Sequence, residues 1–124
     1  MLKSVLLVDD HDPMRALLRA LVADLAEHIY ECRDGAEAVT VYAAERPTWV
    51  LMDIQMGEMD GLTATRHIIA QFPAAQVMIV TDHADEAMRA AAQAAGACAF
   101  VAKDDLLSVR QILTGQRSPP GQAV

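Results

Sequence analysis

Short apolar runs and longer amphipathic segments alternate along the chain. Four strong runs occupy residues 5–8, 49–52, 77–80 and 97–101, and a weaker run that mixes polar with apolar side chains occupies residues 29–32. Uninterrupted apolar runs of this length are typical of strands that are buried on both faces, as in parallel sheets. The alternation predicts an α/β domain of five parallel strands and five helices. The mixed run predicts an edge strand.

The segments between the runs carry helix signals. Asp12 is the predicted N-cap of the first helix and Asp60 that of the third, Arg46-Pro47 ends the second, and Gly96 ends the fourth. Helical spacing predicts which side chains face the sheet. These are Met14, Leu17, Leu18, Leu21, Val22 and Leu25 in the first helix, Ala36, Val39 and Ala43 in the second, Leu62, Thr65, Ile69 and Phe72 in the third, and Leu106, Val109 and Leu113 in the fifth.

Polar side chains directly follow the apolar runs. Asp9 and Asp10 follow the first strong run, Asp53 follows the second, and Thr81 and Lys103 follow the last two. Because βαβ connections are short and right-handed, the strand order 2-1-3-4-5 is predicted, and the carboxyl ends of the strands then meet at one edge of the sheet. We therefore expect these five side chains to converge.

Convergence of carboxylates has an electrostatic consequence. Two carboxylates about 4 Å apart repel each other by roughly 4 kcal/mol at an effective dielectric constant of about 20. A positive group must offset this repulsion. A hard divalent cation is one candidate, since it prefers carboxylate and carbonyl oxygens, and the side chain of Lys103 is the other.

Composition narrows the class of protein. The formal net charge is −7, with only ten Lys and Arg residues, which argues against direct wrapping of nucleic acid. No apolar run approaches the ~20 residues of a membrane span, and no signal peptide is visible. Cys32 and Cys98 lack metal-ligand spacing and are read as small apolar residues in a reducing compartment. We expect a cytoplasmic protein with one domain over residues 1–116 and a linker or disordered tail over residues 117–124.

The set of strand-end motifs resembles the receiver domain of bacterial two-component response regulators, over roughly residues 2–115. The segments that carry the resemblance are Leu7-Val8-Asp9-Asp10-His11, Met52-Asp53-Ile54-Gln55-Met56, Met59-Asp60-Gly61, Val80-Thr81 and Ala102-Lys103. Each segment alone is a weak signal, and the combination is specific. The resemblance implies a flavodoxin-like, doubly wound five-stranded parallel sheet of order 2-1-3-4-5.

The resemblance also implies a chemistry. Asp53 would accept a phosphoryl group from a sensor histidine kinase or a phosphotransfer protein. Mg²⁺ would be held by Asp10, Asp53 and the backbone carbonyl of Gln55, with Asp9 acting through a bound water, and Lys103 would help to draw charge from the transferring oxygens. Such a domain turns over no outside substrate, so it is expected to be a signalling switch rather than an enzyme.

A conformational readout is implied as well. Thr81 would donate a hydrogen bond to the new phosphoryl group, and Phe100 would move into the space that the threonine leaves, although a strand aromatic is also an ordinary core residue. The fourth helix, fifth strand and fifth helix would then present a changed surface to an output domain or partner. A homodimer fits this picture, and contact with DNA is expected only through an output domain outside this sequence.

Three residues depart from the family's pattern. Asp82 follows the switch threonine where a small residue is usual, Gly57 replaces a common proline, and Asp104 replaces the proline that often follows the lysine and so removes the usual reason for a cis peptide bond. The Lys103-Asp104 pair instead resembles receivers joined to LuxR-type helix-turn-helix domains.

Two other functions compete with this one. A hydrolase of the haloacid dehalogenase type also uses a strand-end aspartate with Mg²⁺, but it requires a second aspartate where Gln55 stands. A degenerate receiver, which binds partners without being phosphorylated, is the other alternative and is suggested by Asp82 and Asp104.

Overall fold

The computed structural model describes residues 1–115. Five strands are formed by Leu2–Val8 (β1), Ala26–Cys32 (β2), Trp49–Met52 (β3), Val77–Thr81 (β4) and Ala99–Ala102 (β5). Five helices are formed by Asp12–Val22 (α1), Gly35–Glu45 (α2), Gly61–Gln71 (α3), Glu86–Ala95 (α4) and Leu106–Leu113 (α5). The predicted linker or tail over residues 117–124 lies outside the described residues.

The strands form one parallel sheet in the order β2-β1-β3-β4-β5, which confirms the predicted fold. The mixed β2 lies at an edge, and the apolar β1, β3 and β4 lie inside the sheet. Successive residues of these strands point to opposite faces of the sheet, and each face carries one hydrophobic core cluster. Helices α1 and α5 cover one face, and α2, α3 and α4 cover the other.

The start of α1 differs from the prediction. Nδ1 of His11 accepts a hydrogen bond from the Met14 N–H at 3.3 Å, so His11 is the N-cap. Asp12 lies instead in the first helical turn, where it pairs with Arg15. Leu17, predicted to be buried, is 51% exposed, because only a narrow stripe of α1 reaches the sheet. The caps predicted at Asp60 and Gly96 are confirmed.

The predicted inner face of α2 is wrong at two of its three positions, and only Val39 packs against the core, half-buried. Ala36 and Ala43 are exposed, and the residues that are buried are Gly35, Ala38 and Tyr42. The cause is the close approach of α3 and the loop before it, since a Cβ added to Gly35 would lie 2.9 Å from Cβ of Ala64 and 2.7 Å from the Met59 carbonyl oxygen. Contact at this glycine fixes the rotation of the helix.

The predicted inner face of α3 is partly correct. Thr65 is buried as predicted, together with Ala64 and Ile68, while Leu62 and Ile69 are only half-buried. Among residues 1–115, no helix has the length and apolar content that a bilayer crossing requires.

Candidate functional site

The ends of β1 and β3 bring three carboxylates together. The Asp9 N–H donates to the Cys32 carbonyl at 3.2 Å, and the Asp53 N–H donates to the Val8 carbonyl at 2.9 Å, so both aspartates continue the hydrogen bonding of the sheet. Carboxylate oxygens of Asp9, Asp10 and Asp53 all lie within 4.8 Å of one another. The convergence expected from the apolar runs is therefore present.

Lys103 supplies a positive charge to this cluster from the end of β5. Its Nζ lies 3.1 Å from Oδ2 of Asp9 and 3.4 Å from Oδ1 of Asp53. Burial by itself lowers the pKa of Lys103, but the carboxylates of Asp53 and Asp9 outweigh burial and raise that pKa above its ordinary value of 10.5. The lysine is therefore charged at neutral pH.

Asp53 is a buried carboxylate with a raised pKa. It is 7% exposed, and its Oδ1 accepts a hydrogen bond from the Ile54 N–H at 2.9 Å. Burial and the charge of Asp9 raise the pKa of Asp53 to about 6, against the opposing effect of Lys103. One lysine therefore compensates the acidic cluster only in part.

Asp9 carries the clearest sign that a cation fits this site. Its Oδ1 accepts a hydrogen bond from the His11 N–H at 2.9 Å. Its Oδ2 is buried, and the Lys103 ammonium that lies 3.1 Å from it also pairs with Asp53. Asp9 belongs to a set of three carboxylates, whose negative charge a single ammonium offsets only in part. An oxygen-rich set of this kind suits a hard divalent cation.

A cavity of about 440 Å³ opens beside the cluster, and Gln55 and Asp82 lie in its wall. The cavity is lined by Asp10, His11, Met14, Asp53, Gln55, Asp82 and Lys103. The side chain of Asp82 is 69% exposed and lies 3.5 Å from Nε2 of His83. An additional carboxylate therefore stands in the wall of the cavity, where the sequence predicted it.

Gly61 is a determinant of the site that sequence reasoning missed. Its N–H donates to the Ile54 carbonyl at 2.8 Å, and a Cβ added to it would lie 1.8 Å from the carbonyl oxygen of Asp53. No side chain fits there, so the start of α3 presses directly on the backbone of Asp53. At Gly57, in the same loop, an added Cβ would meet nothing within 4 Å. The Asp60-Gly61 pair is visible in the sequence as a helix start and as part of the family resemblance, but neither signal indicates the contact with Asp53.

Sequence reasoning also missed two arginines that contact the backbone of the acidic cluster. Arg15 donates to the Asp9 carbonyl at 2.8 Å, and Arg33 donates to the Asp10 carbonyl at 3.3 Å. The signal available in the sequence was the spacing of Asp12 and Arg15, which is typical of a helical ion pair.

The two predicted switch residues are both buried. Oγ1 of Thr81 accepts a hydrogen bond from the His83 N–H at 3.0 Å, and the Thr81 carbonyl accepts one from the Lys103 N–H at 2.8 Å. Phe100 lies in the core cluster beneath α4, and the guanidinium of Arg89 lies 4.7 Å from the centre of its ring. No cis peptide bond occurs within residues 1–115, in line with the expectation for Asp104.

The sequence matches the family model of the response regulator receiver domain over residues 5–113. It is 36% identical over 118 residues to the transcriptional regulatory protein YhcZ of Bacillus subtilis, covering 90% of this chain and 55% of that protein. It is 38% identical over 103 residues to the chemotaxis protein CheY of Halobacterium salinarum, covering 83% of this chain and 86% of that protein. The chain thus spans about half the length of YhcZ and most of the length of CheY.

Solved structures agree with this assignment. A two-component response regulator of the LuxR family from Aurantimonas sp. SI85-9A1 superposes with a TM-score of 0.82 and 32% identity, covering 97% of this chain and 91% of that chain. The CheX-CheY-BeF3-Mg complex from Borrelia burgdorferi matches with a TM-score of 0.80 and 25% identity, covering 94% of this chain and 90% of that chain. With its strand order, its acidic cluster and its match over residues 5–113, the chain belongs to the response regulator receiver domain family.

Proposed function

We propose that this receiver domain is phosphorylated on Asp53 by a sensor histidine kinase or a phosphotransfer protein. The observation that carries the proposal is the environment of Asp53. It is buried among carboxylates within 4.8 Å, its Oδ1 lies 3.4 Å from Lys103, and a cavity of about 440 Å³ gives a donor access to it.

The two oxygens of Asp53 differ in a way that suits nucleophilic attack. Oδ1 accepts the Ile54 N–H, whereas Oδ2 accepts no hydrogen bond from residues 1–115. In the proposed step, Oδ2 forms a bond to the phosphorus atom while the bond from phosphorus to the donor's imidazole nitrogen breaks. The electron pair leaves with the imidazole, which then takes up a proton from solvent. Lys103 stays beside the reacting carboxylate and offsets negative charge there.

We assign the cation site to the carboxylates of Asp9, Asp10 and Asp53 together with the backbone carbonyl of Gln55. The carboxylate cluster, which has one lysine beside three acids, and its oxygen-only donor set support Mg²⁺ as the cation. Domains of this family bind Mg²⁺ at an acidic pocket, and when bound it neutralises charge on the transferring phosphoryl oxygens.

The output is proposed to pass through Thr81 and Phe100. Once the acyl phosphate forms, the Thr81 hydroxyl donates to one of its oxygens, and Phe100 responds by repacking beneath α4. The changed surface of α4, β5 and α5 then acts on an output domain, a partner or a second copy of the chain. DNA is contacted only through such an output domain.

This role makes the chain a signalling domain without an outside substrate. A protein-glutamate methylesterase from Paramagnetospirillum magneticum is 35% identical over 111 residues, but those residues make up only 31% of that protein. We also propose a cytoplasmic location, supported by the free thiols of Cys32 and Cys98, which suit a reducing compartment.

Phosphorylation itself gives the decisive experiment. The purified protein is incubated with acetyl phosphate and Mg²⁺, and mass spectrometry is expected to detect one added phosphoryl group on wild type and on an Asp60→Asn control. Asp60 is an exposed helix cap in the same loop, and asparagine caps helices equally well. Asp53→Asn should show no addition. If wild type gained no phosphoryl group, the degenerate receiver would be favoured. If Asp53→Asn still gained one, the phosphoacceptor would be a residue other than Asp53.

A further inference from the structure

The acidic segment at residues 9–12 accepts hydrogen bonds from Arg15 of α1. The side chain of Arg15 is only 15% exposed. It donates to the carbonyl oxygen of Asp9 at 2.8 Å, to Oδ1 of Asp12 at 2.8 Å and to Oε1 of Glu31 on β2 at 2.8 Å. One guanidinium therefore joins the loop, the helix that follows it and the neighbouring strand.

A second arginine reinforces this arrangement from the end of β2. Arg33 donates to the carbonyl oxygen of Asp10 at 3.3 Å and also pairs with Oδ1 of Asp12, the oxygen that Arg15 uses. The carbonyl groups of Asp9 and Asp10 thus each accept a hydrogen bond from an arginine. Arg33 is 59% exposed, so its contribution is the weaker of the two.

The position of these bonds in the sheet explains their importance. The pairing of β1 with β2 ends at Val8 and Cys32, and the Asp9 N–H makes the last bond to β2. Beyond that point the Asp9 carbonyl has no strand partner, and Arg15 takes the place of one. The side chain of Asp10 accepts no hydrogen bond from residues 1–115, so its location depends on how this stretch of backbone is fixed.

We propose that Arg15, assisted by Arg33, is a positioning residue for the cation site, fixing the Asp9-Asp10 backbone so that both carboxylates converge with Asp53. The inference rests on the proposed function, because it assigns Arg15 a role in cation binding at that site. Neighbouring groups that orient metal ligands typically change metal affinity by about 10- to 100-fold when they are removed.

Replacing Arg15 with a neutral residue is expected to change Mg²⁺ affinity in opposite directions, depending on whether its charge or its positioning role dominates. A guanidinium near an acidic site disfavours a cation by repulsion, so loss of its charge alone would strengthen Mg²⁺ binding. Loss of positioning would weaken binding. Arg19 is the matched control, because it donates to Oε2 of the same Glu31 at 2.7 Å and makes no contact with the loop.

The experiment measures Mg²⁺ affinity by isothermal titration calorimetry for wild type, Arg15→Met, Arg15→Lys and Arg19→Met. Arg15→Met should bind Mg²⁺ roughly ten-fold more weakly. Arg19→Met should bind as wild type does or slightly more tightly. Arg15→Lys should fall between wild type and Arg15→Met, because the lysine ammonium can still donate to the Asp9 carbonyl but lacks the multiple donors of the guanidinium. Urea unfolding in EDTA checks that each variant is folded, and Arg15→Lys carries the comparison if Arg15→Met does not fold.

A second readout needs no metal. In EDTA, amide hydrogen exchange at His11, whose N–H donates to Asp9, should accelerate in the Arg15 variants, while exchange at Ile54, whose N–H donates to Asp53, should stay as in wild type. Equal or tighter Mg²⁺ binding by the Arg15 variants, or unchanged exchange at His11, would overturn the inference. Absence of Mg²⁺ binding in wild type would instead refute the cation site of the proposed function.

Discussion

The two sides of the pocket are held in different ways. On the acidic side, at the ends of β1 and β3, backbone N–H groups fix one oxygen of Asp9 and one of Asp53, and Gly61 packs against the backbone of Asp53. On the switch side, at the ends of β4 and β5, the Thr81 hydroxyl has one hydrogen bond, and the residues that follow it are exposed. The acidic side is therefore held by more contacts, and under the proposed function the switch side is the one that rearranges.

The largest effect is expected from breaking the frame at Gly61. In Gly61→Ala the new Cβ meets the Asp53 carbonyl, so the loop or the helix must move. We expect a loss of at least about 3 kcal/mol in the free energy of unfolding, measured in urea, and loss of phosphorylation. Gly57→Ala is the control, since its Cβ meets open space. If Gly61→Ala were as stable as Gly57→Ala, the close contact of Gly61 with Asp53 would not be important for stability.

Removing the charge of Asp53 should have the next largest effect on the free energy of unfolding, and this effect should be stabilising. A pKa raised from 3.8 to about 6 corresponds to roughly 3 kcal/mol against the charged form. The carboxylate of the folded protein ionises near pH 6 and that of the unfolded chain near pH 3.8, so the penalty is complete above about pH 6 and disappears below about pH 4.

Asp53→Asn in EDTA should therefore be more stable than wild type by roughly 2 kcal/mol at pH 8 and equal to it at pH 4, in urea unfolding. Asp82→Asn is the control on the switch side, because Asp82 is largely exposed and little change is expected. A gain that persists unchanged at pH 4 would contradict an electrostatic cause.

A smaller effect on stability, with a clear effect on signalling, is expected at Thr81. Thr81→Val leaves the His83 N–H without its acceptor and should cost about 1 kcal/mol of unfolding free energy. It should still bind beryllofluoride with Mg²⁺, but the NMR shifts of α4 and β5 should no longer respond. Thr65→Val is the control, as it removes a buried hydroxyl that bonds to the Gly61 carbonyl on the acidic side. A normal response in Thr81→Val would exclude the switch role.

The smallest effect is expected at Asp82. Its charge in the wall of the cavity repels an anionic donor, so Asp82→Ala should react with acetyl phosphate about two-fold faster, with a difference that shrinks at high salt. Asp104→Ala, an exposed acid outside the cavity wall, should react like wild type. The rates are measured by mass spectrometry. A slower Asp82→Ala would indicate that Asp82 assists the reaction.

The parts of the site that the sequence predicted are those set by strand ends. An apolar run that ends at Asp9 or Asp53 predicts a buried strand, and it also predicts that the carboxylate lies at the edge of the sheet where that strand ends. The same pattern therefore predicts the strand and the position of the candidate site residue. The parts that sequence reasoning missed depend on contacts between distant segments. The sequence around Gly61 indicates a helix start, and nothing local shows that Asp53 lies against this glycine.

The error in α2 has a similar cause. The segment GAEAVTVYAAE carries alanine or valine on several sides, so its periodicity does not single out one face. The contact of Gly35 with the segment that leads into α3 decides which face is buried. Arg15 was missed because its strand partner, Glu31, lies sixteen residues away.

Lys103 belongs to both sides of the pocket at once. Its ammonium lies 3.1 Å from Asp9 and 3.4 Å from Asp53, while its backbone N–H is bonded to the Thr81 carbonyl. If phosphorylation changed the charge of these aspartates, the attraction on the lysine would change, and the hydrogen bond from its backbone N–H would connect that change to β4. The cluster and the end of β4 are thus joined through one residue at the edge of the sheet, without passing through the hydrophobic core.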